Sequence, residues 1–264
     1  MTLSADRLAA ARLRLEVDGA VATVTLDKPD ARNAQTPTMW RTLAEIGAEL
    51  PDDVRVVVVR GAGSTFSAGL DRTLLTPGGG DGQESVAELL SQSDDEVSTT
   101  IEAYQQGFTW LRDPRFVSIA VVHGYAIGAG FQLALSCDLT LMADDAYLCM
   151  KEAALGLVPD LTGTKPLVDA VGYPRALEIC ATARNVGAEE AVRIGIALDA
   201  VPADRLDDRL ADLVAALTAP MAGAVRETTA LVLSATHHDL DTQRRLEREA
   251  QARRFRELAT LLTP

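Results

Sequence analysis

Two runs dominated by β-branched residues, at residues 54–59 and 117–122, constrain the fold of this chain more than any other feature. A strand with one face in water alternates apolar and polar residues, whereas a strand covered on both faces is apolar nearly throughout. Both runs are of the second kind. We therefore expect an α/β fold in which these two strands lie inside a sheet that is covered on both sides.

A glycine-bearing segment follows each predicted strand. The first is Phe66-Ser-Ala-Gly-Leu-Asp71, the second extends from Gly124 to Leu133, and each is predicted to open a helix. The first amides of a helix have no partner inside it, and the helix dipole adds partial positive charge there. Two such turns facing each other would hold one oxygen atom. They suit the stabilisation of an enolate or oxyanion formed from a carbonyl, to which each preorganised N–H contributes about 3–4 kcal/mol.

The remaining pattern predicts the order of the other elements. Alternating residues on both sides of Asp18-Gly19 predict a β-hairpin, and the apolar spacing after Pro37 predicts a helix that ends near Leu50. Further strands are expected at 137–143 and 146–150, helices at 166–171, 175–183, 188–194 and 202–217, and one or two long helices after 221. Residues 72–106, which include Pro77-Gly-Gly-Gly80, are interpreted either as a mobile loop or lid or as a surface insertion.

Composition limits the class of protein. Of the 264 residues, 47% are hydrophobic, and we expect one domain with a helical appendage. The net charge of −13 argues against nucleic acid or an anionic membrane as a partner. The chain shows no apolar stretch of signal-peptide length at its start and none of the roughly 20 residues of a membrane span. Cys137, Cys149 and Cys180 have no metal-ligand spacing, so we expect free thiols in a cytoplasmic protein without a metal.

Four segments carry a resemblance to a known family. They are Leu26-Asp-Lys-Pro-Asp-Ala-Arg-Asn33, Phe66-Ser-Ala-Gly-Leu-Asp71, His123-Gly-Tyr-Ala-Ile-Gly-Ala-Gly-Phe-Gln-Leu-Ala134 with Cys137-Asp138, and Glu152-Ala-Ala-Leu-Gly-Leu-Val-Pro159. Through them the chain resembles the crotonase superfamily, the enoyl-CoA hydratase/isomerase family, over nearly its whole length. The resemblance implies a core over residues 1–200 that is a spiral of ββα units, with a C-terminal helical trimerisation region over residues 201–264. It also implies an acyl-CoA thioester substrate, a homotrimer or hexamer, and no metal or organic cofactor, since coenzyme A is part of the substrate.

The resemblance also assigns roles to residues of the glycine segments. The oxyanion-hole amides would be those of Leu70 and Ala129, where a backbone donor tolerates changes of side chain. Five residues fall where the family contacts CoA: Lys28, Ala31, Arg32, Ala68 and Asp71. Lys28 and Arg32 could offer charge to phosphates, although an arginine exposed in a turn can also be merely solvated.

The catalytic positions depart from the hydratases that the chain resembles. Family hydratases hold the water that adds across the double bond between two glutamates. Glu152 matches the second of them, but Gln132 occupies the first position. An amide can orient a water but does not take or give a proton, so half of the acid–base pair is missing. Alternatively, Gln132 only packs on its helix, and the protein binds acyl-CoA without turning it over.

Asp160, eight residues after Glu152, adds a second carboxylate, and this spacing resembles that of dienoyl-CoA isomerases. Enoyl-CoA isomerases keep only the glutamate at the Glu152 position, because moving a double bond needs one base, a held enolate and a returned proton. The alternative role for Asp160 is a helix N-cap for the segment near Leu161. We expect an acyl-CoA enzyme, with isomerisation slightly favoured over hydration through a water held by Gln132, and a non-catalytic acyl-CoA-binding protein as the third alternative.

Overall fold

The computed structural model of the chain describes residues 3–76 and 85–262. These residues form nine strands: β1 Leu13–Asp18, β2 Val21–Leu26, β3 Val56–Gly61, β4 Val117–Val122, β5 Tyr125–Ile127, β6 Leu139–Ala143, β7 Tyr147–Cys149, β8 Asn185–Gly187 and β9 Asp199–Val201. They also form eleven α-helices: α1 Ala5–Ala10, α2 Pro37–Glu49, α3 Val86–Leu89, α4 Asp94–Thr109, α5 Ala129–Ser136, α6 Thr164–Val171, α7 Tyr173–Thr182, α8 Ala188–Arg193, α9 Leu206–Thr218, α10 Ala222–Ala235 and α11 Leu240–Leu262. The α/β class predicted from the sequence is confirmed.

Six strands form the main sheet, in the order β1-β2-β3-β4-β6-β9. β1 and β2 pair antiparallel as the predicted hairpin, with Leu13 opposite Leu26, and the other neighbours in this sheet are parallel. The interior strands β3 and β4 are the two valine-rich runs, and all six residues of β4 are buried. Burial on both faces explains why neither run alternates with polar residues.

A smaller sheet, in the order β5-β7-β8, contains part of the second glycine segment, and an isolated β-bridge between Ser67 and Ala126 joins it to the first. β5 starts directly after Gly124, whose φ of 60° lies in the region that favours glycine. The Phe66 amide donates to the carbonyl of His123 at 2.9 Å, and the Ser67 amide donates to that of Tyr125 at 3.0 Å. The two glycine segments therefore run side by side.

The stretch predicted as a loop, lid or surface insertion contains the longest helix of the first half of the described chain, α4. This helix begins with a capping box, in which Ser93 and Glu96 bond each other's backbone amides through their side chains. The expectation of an irregular loop is wrong for this part of the segment, because serine, threonine and acidic residues separate the few apolar residues that mark the helical spacing. The glycine run Pro77–Gly80, which contributed to the expectation of a loop, lies outside the described residues.

α4 packs closely on α2. The rings of Tyr104 and Phe108 lie 5.1 and 6.2 Å from the ring of Trp40, measured between centroids. Between them, Gly107 lies so near α2 that a Cβ there would come within 2.2 Å of the Trp40 carbonyl oxygen. A side chain at Gly107 would therefore push the two helices apart.

The C-terminal helices are attached to the sheet by arginines that bond backbone carbonyls. Arg55, which precedes β3, donates to the carbonyls of Thr218 at 2.5 Å and Pro220 at 2.7 Å, at the C-terminal end of α9. Arg226 of α10 donates to the carbonyl of Arg115 at 3.1 Å. Within the described residues, no helix is long and apolar enough to cross a lipid bilayer.

Candidate active site

Gly69 and Gly128 shape two turns that meet at the candidate site. Their φ angles of 83° and 53° lie in the region that favours glycine. A Cβ on Gly69 would come within 2.4 Å of the Ile127 carbonyl oxygen and 3.4 Å of the Ala129 nitrogen. The two turns therefore contact each other backbone to backbone, and only glycine fits at position 69.

The two turns continue differently. The second opens α5 at Ala129, as predicted. The first leads into a four-residue 3-10 helix, Arg72–Leu75, with Asp71 as its N-cap, so the prediction of an ordinary helix there was wrong. So short a helix carries little dipole, and any attraction for an anion at the first turn comes from the local amide.

The amides of Leu70 and Ala129 face an open space. The carbonyl of Gly69 accepts a hydrogen bond from the Gln35 amide at 2.7 Å. Since the C=O and N–H of a trans peptide point in opposite directions, the Leu70 N–H points away from Gln35. The Ala129 N–H is the first of α5 and has no partner inside the helix. Within the described chain, neither N–H has an acceptor.

A cavity of about 380 Å³ lies in front of these two amides. Its walls are largely apolar and include Trp40, Leu74, Ile101, Tyr104, Ile127 and Leu161. Two of these residues belong to α4, so part of the segment 72–106 contributes a wall of the pocket. The capping box at its start, Ser93 with Glu96, was the sequence signal for that helix.

Glu152 is one of the residues that line the cavity. The residue is 7% exposed and begins the 3-10 helix Glu152–Leu155, which follows β7. Its Oε1 accepts a hydrogen bond from Gln132 Nε2 at 2.7 Å. Its Oε2 is buried and has no hydrogen-bond partner among the described residues. The position of a Cβ on Gly128 lies 3.3 Å from Oε1, so the carboxylate sits directly beside the second turn.

Gln132 is held in one orientation by the backbone. Its side-chain oxygen accepts hydrogen bonds from the amides of Leu161 at 2.8 Å and Gly163 at 3.2 Å. Both lone pairs of this oxygen are therefore used, and the amide nitrogen faces Glu152. The side-chain amide of Gln132 therefore donates to the Glu152 carboxylate and fixes the loop before α6. Its oxygen cannot also accept a hydrogen bond from a water.

Asp160 lines the same cavity from the loop that Gln132 holds. Its backbone carbonyl accepts from Gln105 Nε2 of α4 at 2.7 Å, which ties this loop to the helix. The alternative role as an N-cap is wrong: α6 begins at Thr164, its N-cap is Gly163, and no side chain caps it. The Asp160 carboxyl group is thus not needed to start a helix.

Burial perturbs both carboxyl groups. It raises the pKa of Glu152; the charge of Asp160 raises this pKa further, while the hydrogen bond from Gln132 opposes the change. Burial also raises the pKa of Asp160. A raised pKa brings the exchange of a proton closer to neutral pH. Two such groups next to two free amides can move a proton beside a carbonyl whose oxygen the amides hold.

We expect Asp160→Asn to stabilise the protein at neutral pH. A carboxyl group whose pKa is higher in the folded state binds more protons when folded, so the free energy of unfolding falls as the pH rises through that range. The neutral amide of the variant avoids this loss of stability. The variant's gain in the free energy of unfolding should therefore be present at neutral pH and fade in acid, below the pKa of the unfolded carboxyl group. Urea unfolding at neutral and at acid pH measures this gain.

Asp145→Asn, which changes an exposed carboxyl group in a turn, is the matched control for this stability measurement. It should show no comparable gain at neutral pH. A gain for Asp160→Asn of the same size in acid and at neutral pH would contradict the explanation by burial of charge.

The residues predicted to contact CoA cluster around the first turn. Lys28 Nζ and Asp71 Oδ2 form an ion pair of 2.6 Å, in which both side chains are mostly buried. Burial pushes the pKa of Asp71 up, but its hydrogen bonds to Lys28 and Thr73 outweigh this and lower it. Arg32 is exposed, with a φ of 55°, and its carbonyl accepts from the Ala68 amide at 2.9 Å. Ala31, next to Arg32, is partly exposed.

Comparison with solved structures places this fold next to one protein in particular. The crystal structure of an enoyl-CoA hydratase homologue from Thermobifida fusca YX, in complex with acetoacetyl-CoA, matches with a TM-score of 0.94 and 50% sequence identity. The match covers 97% of this chain and 100% of that chain.

Comparisons with protein families and with curated sequences agree with the structural match. The enoyl-CoA hydratase/isomerase family profile matches residues 16–260. A Mycobacterium tuberculosis protein named a probable enoyl-CoA hydratase is 32% identical over 198 residues, which are 73% of this chain and 69% of that protein. The human mitochondrial Delta(3,5)-Delta(2,4)-dienoyl-CoA isomerase is 31% identical over 230 residues, which are 82% of this chain and 66% of that protein. The names of these relatives include both hydration and isomerisation.

Proposed function

The chain belongs to the enoyl-CoA hydratase/isomerase family, and from that membership we propose that it shifts the double bond of an enoyl-CoA or dienoyl-CoA thioester. One observation carries the proposal. Glu152 lines the cavity with a buried carboxylate whose Oε2 has no hydrogen-bond partner among the described residues, and the group next to it is the amide of Gln132, in place of a second carboxylate. The site thus offers beside the oxyanion amides a carboxylate whose hydrogen-bonded neighbour cannot exchange a proton.

The proposed reaction passes through a dienolate. The thioester oxygen binds the amides of Leu70 and Ala129, and Glu152 Oε2 takes a proton from C2 of a 3-enoyl-CoA. The electron pair moves onto the thioester oxygen, where the two N–H groups stabilise the charge. The protonated carboxyl group then gives a proton to C4, and the double bond reforms between C2 and C3. Glu152 returns to its starting state, and no water is consumed.

Asp160 extends this scheme to dienoyl substrates. In a conjugated dienolate the proton must return further along the chain than one carboxyl group reaches easily. Asp160 lies in the same cavity, and burial raises its pKa, which favours the neutral form that donates a proton. We assign it the return of the proton at the far end, with Glu152 as the base near the thioester.

Hydration is the second candidate reaction, because the Thermobifida fusca and Mycobacterium tuberculosis relatives carry hydratase names. In that reaction Glu152 would act alone on a water to which Gln132 donates its remaining N–H. The oxygen of Gln132 cannot help, since the amides of Leu161 and Gly163 occupy it. A hydratase needs both a base and an acid at the water, and an amide supplies neither.

Assays on purified protein with a 3-enoyl-CoA and a 2-enoyl-CoA distinguish these reactions. Isomerisation of the first without comparable hydration of the second supports the proposal. Hydration at a comparable rate would overturn it. Binding of an acyl-CoA, measured by calorimetry, without turnover of either compound would instead support the non-catalytic acyl-CoA-binding alternative.

Gln132→Glu should add hydratase activity. The new carboxyl group would lie about 2.7 Å from Glu152 Oε1, the present spacing of the hydrogen bond, and the pair would share a proton because like charges so close cannot both ionise. That supplies the missing acid–base partner. We expect hydration of a 2-enoyl-CoA to rise at least about tenfold above the wild-type level, measured by loss of the conjugated absorbance.

Gln132→Met is the control for this gain of activity. It removes the amide without adding a carboxyl group, so hydration should not rise. Equal hydration by wild type and Gln132→Glu would mean that residue 132 does not limit hydration.

We assign the CoA moiety to the first turn and the loop before it. Lys28 is already paired with Asp71, so this lysine stiffens the loop more than it attracts phosphate. Arg32 is exposed beside it and supplies the free positive charge. Ala31 and Ala68 carry small side chains that let an extended ligand approach their backbone.

A further inference from the structure

A chain of buried hydrogen bonds connects the wall of the acyl pocket to the first oxyanion turn. Trp40, whose ring lines the cavity, donates from Nε1 to Gln35 Oε1 at 2.8 Å. Gln35 donates from Nε2 to Ser67 Oγ at 3.1 Å. Gln35 and Ser67 are both 0% exposed. A polar chain so deeply buried costs free energy unless every member is satisfied, and here each is.

Ser67 is the point where this chain reaches the turn. Its hydroxyl donates to the carbonyl of Asn33 at 2.8 Å and accepts from the amide of Gly69 at 3.1 Å. Together with the bond from Gln35, these use the donor and both lone pairs of the hydroxyl. The second turn rests on the same residue, since a Cβ on Gly130 would come within 2.8 Å of Ser67 Cβ.

Gln35 holds Gly69 from two sides. Its backbone amide donates to the carbonyl of Gly69, and its backbone carbonyl accepts from the amide of Asp71 at 2.9 Å. Its side chain reaches the amide of Gly69 through Ser67. The Leu70 N–H lies between these two anchored groups, so the backbone and side-chain contacts of Gln35 help to set its direction.

We propose that Gln35 is a positioning residue for the Leu70 amide of the oxyanion hole, and that Trp40 couples the filling of the acyl pocket to that amide. The inference rests on the proposed function, in which the Leu70 amide binds the thioester oxygen. Gln35 touches no substrate in this scheme. It acts through Ser67 and the backbone, and an acyl group pressing on the Trp40 ring acts on the same chain from the other end.

The test compares Gln35→Met with the wild type. Methionine keeps the length and the backbone contacts of residue 35 but removes the side-chain hydrogen bonds. We expect kcat to fall about tenfold, which corresponds to one net hydrogen bond, with KM for the acyl-CoA nearly unchanged. The infrared stretch of the isotope-labelled thioester carbonyl in a bound saturated acyl-CoA should move toward its value in free solution. A carbonyl band in Gln35→Met identical to that of the wild type would overturn the proposal.

The infrared measurement separates this proposal from the proposed function. A saturated acyl-CoA does not react, so its carbonyl band reports the oxyanion hole for an isomerase and a hydratase alike. A wild-type band already at the free-solution value would mean that no oxyanion hole acts on the thioester and would overturn both proposals. A shifted wild-type band that Gln35→Met keeps would overturn only the positioning role.

Two further variants test the coupling and control for a general loss of stability. Trp40→Phe removes only the indole donor, so its effect on the carbonyl band should be smaller than that of Gln35→Met. The two effects should not add in the double variant, because both substitutions break the same hydrogen-bond chain. Thr42→Val is the control, because Thr42 is buried on α2, the helix of Trp40, and the hydrogen bond described for it goes to the carbonyl of Thr38. This variant should leave the carbonyl band and kcat unchanged. Additive effects of Trp40→Phe and Gln35→Met would contradict the coupling.

Discussion

Replacing Glu152 with glutamine is expected to slow double-bond isomerisation by roughly 10²–10⁴-fold, the usual contribution of a general acid–base group. Glutamine has the same shape, and its oxygen can still accept the hydrogen bond from Gln132 that Oε1 accepts now at 2.7 Å. What it lacks is the proton affinity of the buried Oε2. Binding of the acyl-CoA should therefore change little while turnover is lost.

The measurement is the initial rate of isomerisation with a 3-enoyl-CoA, together with the acyl-CoA dissociation constant by calorimetry. Glu189→Gln, at an exposed position in the first turn of α8, is the matched control and should have wild-type activity. A Glu152→Gln variant that keeps a rate within about tenfold of the wild type would show that another group moves the proton. Asp160→Asn tests the separate role proposed for Asp160, since it should slow the isomerisation of dienoyl-CoA substrates more than that of 3-enoyl-CoA substrates.

Gly128→Ala is expected to reduce turnover by about 10²–10³-fold, the effect of losing one oxyanion donor. With φ 53° and ψ −120°, the backbone of residue 128 is in a region that alanine avoids, and holding it there costs about 1–3 kcal/mol. The added Cβ would also lie 3.3 Å from Glu152 Oε1. Relaxation of the turn would redirect the Ala129 N–H and displace the base at the same time.

Gly172→Ala is the control that separates strain from chemistry. Gly172 also has a conformation that favours glycine, φ 75° and ψ 161°, at the junction of α6 and α7. A Cβ there would meet no atom within 4 Å. Both variants should lose stability in urea unfolding, but only Gly128→Ala should lose turnover. Equal losses of turnover in the two would show that general destabilisation, and not the oxyanion turn, is responsible.

Local patterns were sufficient for the elements that the sequence predicted well. Val117 to Val122 form β4 with the predicted bounds, because a strand buried on both faces leaves a signature in its own residues. The same holds for α2, where Pro37 at the first helical turn and Thr36 as the N-cap mark the start. The glycine turns were recognisable for a similar reason, since a positive φ restricts the residue at that one position.

Contacts between distant residues were not predictable in this way. Gln132 was recognised as an unusual residue, but its saturated oxygen depends on amides that lie 29 and 31 positions further along the chain. The N-cap alternative for Asp160 failed because Gln132 and Gln105 hold the loop after Asp160 in a non-helical course, and α6 begins only at Thr164 with Gly163 as its N-cap. The hydrogen-bond chain from Trp40 through Gln35 to Ser67 was not predicted, since Ser67 lies 32 positions from Gln35 and meets it only in the folded protein.

The way Gln132 is held has a consequence for how such a site changes over generations. Every glutamine codon becomes a glutamate codon through one change of its first base, and the backbone amides of Leu161 and Gly163 that now bind the glutamine oxygen would bind a carboxylate oxygen equally well. The scaffold therefore needs no rebuilding for that exchange. A lineage carrying this chain therefore stands one nucleotide away from a site with two neighbouring glutamates.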